Sequence, residues 1–539
     1  MEALPEKMSA PWRIAIAIII FIAVGVSLAY TSSDVGMSWD EGNDLKRAKL
    51  AAGWISLLGD KDAHPLSRNT IEAYWDSGWQ GHPALTRIIH AVTAKLICGF
   101  SDSPVFVKWY AYRYGTYAVF AALAAAVFLF GSYRLGRIEY GLFSAAALAF
   151  MPRMFGHAHI VETDIILGAF CFGAAAAFIY GLENKWTSVA FGVFTGLLPA
   201  IKFTGLAALA PILIYGLLFE RGKIIRNILC MIFISPIVFF LLQPMFWHQP
   251  LSALAEYIHH HLKLAGGVNI TTCYFGINYP NSPPWTYPFA IIALSIPIAS
   301  LVAAIVGALS VAAKNERRKF TIFLIMNSLF LPLLFIPGRV PSYDGERLFI
   351  ASFPFIALLA GVGFRFVFQR FHMLVRIIAL VLFIAYGTGA LLDARPFYLS
   401  YYNEIVGGTA GAVDKGMEAI YWGDAFTPEF AASINKEFAR LPYGTRLTTI
   451  GYFSENLRYF QELGFLDRKF EIVEYGNEAD FLLLFNRRGV LDETSLYLLD
   501  HGMLFDNLVR KHGDTLMAGV YVLRPGYRLM IEHGFVKAQ

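Results

Sequence analysis

The stretch 12–44, WRIAIAIIIFIAVGVSLAYTSSDVGMSWDEGND, frames the reading of the whole chain. From Trp12 to Tyr30 it carries a single charge, Arg13, and approaches the ~20 apolar residues that a helix needs to cross a bilayer core. Its end, LAYTSSD, is a poor signal-peptide cleavage site, so the run reads as a retained first span. About ten residues later two adjacent acids, Asp40 and Glu41, open an amphipathic stretch. Carboxylates there sit in water if the run before them is in lipid. Taken alone, Asp40 reads equally well as a solvated loop acid, a helix N-cap or a functional group.

The rest of the chain fits that frame. Hydrophobic residues make up 56% and charged residues only 16% of the 539, against about a quarter charged in soluble domains. Apolar runs place spans at 13–31, 107–130, 138–153, 164–181, 187–200, 204–219, 227–246, 287–312, 320–337, 347–365 and 375–391. With the N-terminus inside, the inner connections are GSYRLGR (131–137), GLENKW (181–186), ERGKIIR (220–226), KNERRK (314–319) and RFVFQRFHMLVR (365–376). Each carries Lys or Arg, as the positive-inside rule requires. The region around Pro199–Thr204 predicts a tilted or broken pair of short spans. The net charge of +4 comes from these span-flanking residues and is no nucleic-acid footprint.

From about residue 415 the chain becomes ordinary globular sequence. TRLTTIGY (445–452), ADFLLLFN (479–486) and LMAGVYVLR (516–524) predict strands, and 454–465 and 495–513 have helical spacing. The expected architecture is a polytopic α-helical membrane protein of about eleven transmembrane helices with a small C-terminal α/β domain outside the cytoplasm. Its parts are 1–391, a connecting segment 392–414, and 415–539. Of the four cysteines, Cys171 and Cys230 lie in apolar runs; Cys98 and Cys273 both fall in outer loops, where a pair between them stays open.

Ionisable residues gather at the outer ends of the spans. GHPALTRIIH (81–90) holds His82, and MPRMFGHAHIVETD (151–164) crowds Arg153, His157, His159, Glu162 and Asp164 between two spans. Such density at a bilayer boundary is costly unless the groups face a polar cavity. Lys202 in PAIKFTG has snorkelling as its bland reading. IPGRVPSYDGERLFIASFPFIALLAG (336–361) adds Arg339, Asp344, Glu346 and Arg347. Arginine's planar donors suit phosphate, and a carboxylate suits proton removal from a hydroxyl. The histidine pairs lack the spacing of a helical metal site, and the run at 258–263 reads as interfacial. No resident metal is expected, although a divalent cation remains an option.

With these motifs in place, the chain resembles the GT-C glycosyltransferases, in the branch of protein O-mannosyltransferases and aminoarabinose transferases. WDEGND (39–44) resembles the acidic pair of that family's first outer loop. GHPAL (81–85) is similar to its [HK]-P-P-L segment, with Ala84 in place of the second proline. HIVETDIILGAF (159–170) resembles its second acidic motif, and GERLFIASFPFIALLAG (345–361) its late arginine segment, with Leu348 where tyrosine is common. PFYLSYYNEIVGGTAGA…YWGD (396–424) is similar to a segment of bacterial family-39-like transferases. The resemblance implies a polyprenyl-phosphate sugar donor, a lipid, glycan or protein acceptor, membrane lipids around the chain, and a bacterial inner membrane. It implies Asp40 as general base supported by Glu41, and Asp164 as the third catalytic residue. Glu162, His157 and His159 would face the acceptor or cavity, and His82, Lys202, Arg339 and Arg347 the donor phosphate. A lipid-linked glycan flippase or other transporter, or a non-catalytic assembly factor, are the alternatives. Polar groups at the boundary rather than at the midplane favour the enzyme.

Overall fold

The computed structural model describes residues 10–75, 83–99, 109–267, 270–280, 282–313, 317–337, 341–474 and 478–533. His82 and Arg339 lie outside these residues. Each expected span contains helix. Among the described residues, five helices are long and apolar enough to cross a bilayer on their own, namely Ala10–Tyr30, Ala111–Leu135, Asp164–Gly181, Arg347–Phe368 and Met373–Ala394. Shorter apolar helices, among them Ile138–Ala149, Ile225–Leu241 and Ile298–Ala312, pack beside them. Ile14, Ile18, Ile22 and Val26 of the first helix are exposed. A row of bare isoleucines is the surface a bundle presents to lipid, where burial inside protein gains nothing over lipid tails. The opposite extreme is Phe353–Phe368, whose residues up to Phe364 are all buried. It reaches its neighbour Ile298–Leu309 at Gly307 and Gly363, where an added Cβ would run into the backbone carbonyls of Leu359 and Ala303. Small residues at the crossing let the two backbones meet.

The expected continuous span 287–312 is two helices, Tyr287–Ser295 and Ile298–Leu309. Pro297 has no N–H to donate and forces Ile296 to be extended, at φ −95°, ψ 132°. The carbonyls freed at the break are taken up by Asn403 of the connecting segment. Its Nδ2 donates to Ala293 and Ile296 oxygens at 2.6 and 2.7 Å, and its N–H to Leu294 O at 2.8 Å. The predicted broken pair near 199–204 is found: Lys185–Ile201 stops at extended Lys202, and a 3₁₀ turn, Phe203–Leu206, precedes Leu209–Phe219.

Two short strands, β1 (Thr272–Tyr274) and β2 (Ile277–Tyr279), form a hairpin. The C-terminal region carries five more: β3 (Thr445–Ile450), β4 (Phe470–Ile472), β5 (Phe481–Phe485), β6 (Leu504–His512) and β7 (Thr515–Val522). They form one mixed sheet in the order β4-β3-β5-β7-β6, with β3 parallel to β4 and β5 and β7 antiparallel to β5 and β6. The helix expected over 495–513 ends at His501, and the remainder is β6, turned back onto β7 through Gly513 at φ +55°. The sheet's apolar core also takes in Met37, Leu45, Trp109 and Tyr110 from the segments flanking the first and second long helices. The C-terminal region and the first loop are therefore folded against each other.

Cys171, Cys230 and Cys273 are free thiols. Cys98 and Cys273 do not pair; Cys273 Sγ donates instead to Gly416 O at 3.3 Å.

Candidate active site

Asp40 stands at the start of the helix Glu41–Leu57 but makes no side-chain cap to it. Its carboxylate turns away, 39% exposed, and lies 3.0 Å from Nη1 of Arg347. Arg347 begins the buried segment leading into Phe353–Phe368 and reaches three carboxylates. Its Nε is 3.0 Å from Asp164 Oδ2, and Nη1 is 3.0 Å from both Asp40 Oδ2 and Asp344 Oδ2. The guanidinium lies on the face of Trp422, 4.4 Å from the ring centroid, a contact that fixes its plane. Asp164 is the first residue of its helix, where the unpaired N–H groups favour a negative charge, and Lys202 Nζ reaches its other oxygen at 2.6 Å. The break at Pro199–Thr204 explains that contact, because an uninterrupted helix would carry Lys202 elsewhere.

Asp40, Asp164, Lys202 and Arg347 line one cavity of about 600 Å³. Its wall combines the charged side chains of Asp40, Asp44, Arg47, Asp164, Lys202 and Arg347 with the apolar ones of Leu167, Leu206, Leu331, Leu334 and Phe335. His261 also lines it, stacked on Phe203 at 5.3 Å. Asp44 lies one helical turn after Asp40, on the same face. Burial pushes its carboxyl up to about 6, against the pull of Arg47. Burial likewise pushes the Tyr343 hydroxyl up to about 12, so it enters the cavity as a donor. Asp44, Arg47, Tyr343 and Trp422 are the site residues that sequence reasoning missed. The four-residue spacing from Asp40 was the available signal for Asp44.

Four expected site residues are elsewhere. Glu41 is wholly buried and grips Arg113, with Oε1 2.7 Å from Nε and Oε2 2.7 Å from Nη2. It also accepts the N–H groups of Ser38 and Val161, at 3.1 Å each. With its oxygens engaged and no exposure, Glu41 does not line the cavity. His157 and Glu162 belong to a second sealed cluster. His157 Nδ1 is 3.2 Å from Glu162 Oε2, and Nε2 is 3.3 Å from Glu346 Oε1. Arg153 Nη1 is 2.6 Å from Glu346 Oε2. Burial alone would keep His157 neutral, but the two glutamates outweigh it and hold the ring up at about 10. Burial likewise opposes the charge on Glu346, yet Arg153 and His157 hold that carboxyl down at about 2. His159 faces Thr31 Oγ1 at 2.8 Å and lies flat on Tyr398; burial pushes its ring down to about 3. A buried charge requires a partner at hand, which is why this cluster is closed rather than open to a ligand.

Among the described residues no group of three or more His, Cys, Asp or Glu side chains converges as a metal site. Lys202 and Arg347 occupy the Asp164 oxygens that a cation would need. The cavity can hold an anion on Arg347 and Lys202 beside the half-exposed carboxylate of Asp40, and its apolar lining accommodates hydrocarbon.

A scan against protein families and a search of curated proteins return no match. Solved structures do. ArnT from Cupriavidus metallidurans bound to undecaprenyl phosphate is 13% identical, with a TM-score of 0.51. The apo state of the same protein is 11% identical, with a TM-score of 0.53. Both alignments cover 94% of this chain and 97% of ArnT. Over nearly its full length, the chain shares the fold of these two ArnT structures, a polytopic bundle of apolar helices, and it ends in a C-terminal sheet region.

Proposed function

We propose that the chain is a membrane glycosyltransferase that moves a sugar from a polyprenyl-phosphate donor to a hydroxyl of a lipid, glycan or protein acceptor. The observation that carries the reading is one cavity lined both by charged side chains, Asp40, Asp44 and Asp164 with Arg47, Lys202 and Arg347, and by the hydrocarbon of Leu167, Leu206, Leu331, Leu334 and Phe335. The polyprenyl chain lies along Leu331, Leu334 and Phe335, and the phosphate meets Arg347 and Lys202. The ArnT structure with undecaprenyl phosphate bound supports a donor of that class.

In this reading the phosphate draws Arg347 toward itself and frees Asp40, 3.0 Å away. Asp40 then accepts the proton of the acceptor hydroxyl as its oxygen attacks the anomeric carbon. The bond from that carbon to the phosphate oxygen breaks, and polyprenyl phosphate leaves with the electron pair, its charge held by Arg347 and Lys202. A single displacement inverts the anomeric configuration. Asp164 orients both cations rather than touching the substrate. The chain crosses a bacterial inner membrane eleven times, with cavity and C-terminal domain on the periplasmic face. The charge asymmetry of the connecting loops supports this orientation.

The test uses the full-length protein in liposomes, supplied with a panel of polyprenyl-phosphate sugars, with chromatography of the lipid products. Release of polyprenyl phosphate and a glycosylated acceptor is expected. No release from any donor, or movement of the intact donor to the other leaflet, overturns the reading in favour of transport. A periplasm-dependent reporter fused after Gln539 should be active; an inactive one contradicts the odd span count.

A further inference from the structure

We infer that Arg487, from the C-terminal sheet region, is a positioning residue that sets the geometry between Asp40 and Arg347. The inference rests on the proposed transferase reading and gives the C-terminal region a part in that site. Arg487 follows β5 by two residues. Its N–H donates to Phe485 O at 2.8 Å, and the preceding Asn486 is tied to β7 through Met517 O and Leu516 O at 2.9 and 2.8 Å. The side chain therefore springs from an anchored backbone and is 3% exposed.

From there it makes two contacts that lead to the two key groups by separate routes. Nη2 lies 2.6 Å from Asp344 Oδ1, while Asp344 Oδ2 lies 3.0 Å from Arg347 Nη1. The guanidinium also lies over the ring of Trp39, 5.0 Å from its centroid, and Trp39 immediately precedes Asp40. Phe453 packs against the same indole at 4.3 Å. Asn456 Nδ2 donates to Ser38 O and Trp39 O at 3.1 and 3.2 Å. The turn bearing Asp40 is thus held from the C-terminal side.

Asp344 is itself placed with care. It has φ +55° and is followed by Gly345 at φ +64°, a left-handed turn that aspartate tolerates better than most residues. Gly345 N–H donates to the Tyr287 hydroxyl at 3.0 Å. This turn sets the carboxylate between two guanidiniums, one oxygen for each. Without Arg487 both oxygens become available to Arg347, and Asp344 draws it away from Asp40 and Asp164. A bidentate carboxylate–guanidinium pair is the stronger arrangement.

A mere tertiary staple and a positioning residue predict different results. In the full-length protein, Arg487→Met should lower kcat for polyprenyl phosphate release at least ten-fold while KM for the donor changes less than three-fold. Arg487→Lys, which keeps the charge on Asp344, should return kcat to within three-fold of wild type. If Arg487→Met fails to fold, Arg487→Gln carries the same expectation. Asp344→Asn should give a comparable loss, and adding Arg487→Met to it should cost less than a further two-fold. A kcat within two-fold of wild type for the folded Met or Gln variant overturns the inference, as does full additivity with Asp344→Asn. If the wild type releases no polyprenyl phosphate, the transferase reading has failed. The inference is then decided by the experimental structure of the Arg487 variant: Arg347 displaced from Asp40 and Asp164 supports it, and unchanged ion pairs overturn it.

Discussion

Asp40 and Glu41 are neighbours in the chain, yet they belong to two regions of opposite character. Asp40 lies on the cavity, 39% exposed, in an ion pair that it shares with two other carboxylates. Glu41 is sealed, and Arg113 meets both of its oxygens. The same contrast separates Arg347 from Arg153. Arg347 stands in a space that a ligand can enter; Arg153 is closed in by Glu346 and the ring of Tyr402. A sealed ion pair holds the fold and an open one can exchange partners, so exposure rather than residue type divides scaffold from site. A buried pair broken on one side leaves an uncompensated charge, whereas an open pair loses little when water takes the partner's place.

The largest effect that can sharpen this contrast is on stability. Arg113→Met leaves Glu41 charged and buried, and should cost about 3–5 kcal/mol, read as a fall in the melting temperature in detergent. A melting temperature equal to wild type would break the distinction from the sealed side. Next comes Lys202→Met, on the open side. Loss of one charge-assisted contact to phosphate, about 1.5 kcal/mol, should raise KM for the donor about ten-fold.

A smaller effect concerns pH. Burial pushes the Glu418 carboxyl up to about 7, against the pull of Arg487. The native state then holds that proton where the unfolded chain has lost it, so its contribution to stability falls as pH rises from about 4.5 to 7 and is level above. Glu418→Gln does not titrate. Its melting temperature should therefore gain on wild type across that window, and a constant difference would contradict the shift.

Much of this arrangement was legible in the sequence. Apolar runs located the helices because lipid demands length and hydrophobicity together, and four of the expected residues, Asp40, Asp164, Lys202 and Arg347, do meet at one cavity. What was illegible depended on distant partners. Nothing near Glu41 announces Arg113, 72 residues away, and nothing in the spacing of His157 announces Glu346. Density of ionisable groups did not tell which of them face the cavity. Pro297 was visible in the sequence, but nothing near it announces Asn403, whose amide takes up the freed carbonyls. The segment 504–512 has apolar residues at helical spacing, yet its pairing with β7 outweighs local preference.

The most direct test of the account is turnover by Asp40→Asn, an isosteric change at a half-exposed position. Release of polyprenyl phosphate should fall at least about 100-fold, the scale of a lost general base, while the melting temperature stays at the wild-type value. Turnover within two-fold of wild type would contradict the account.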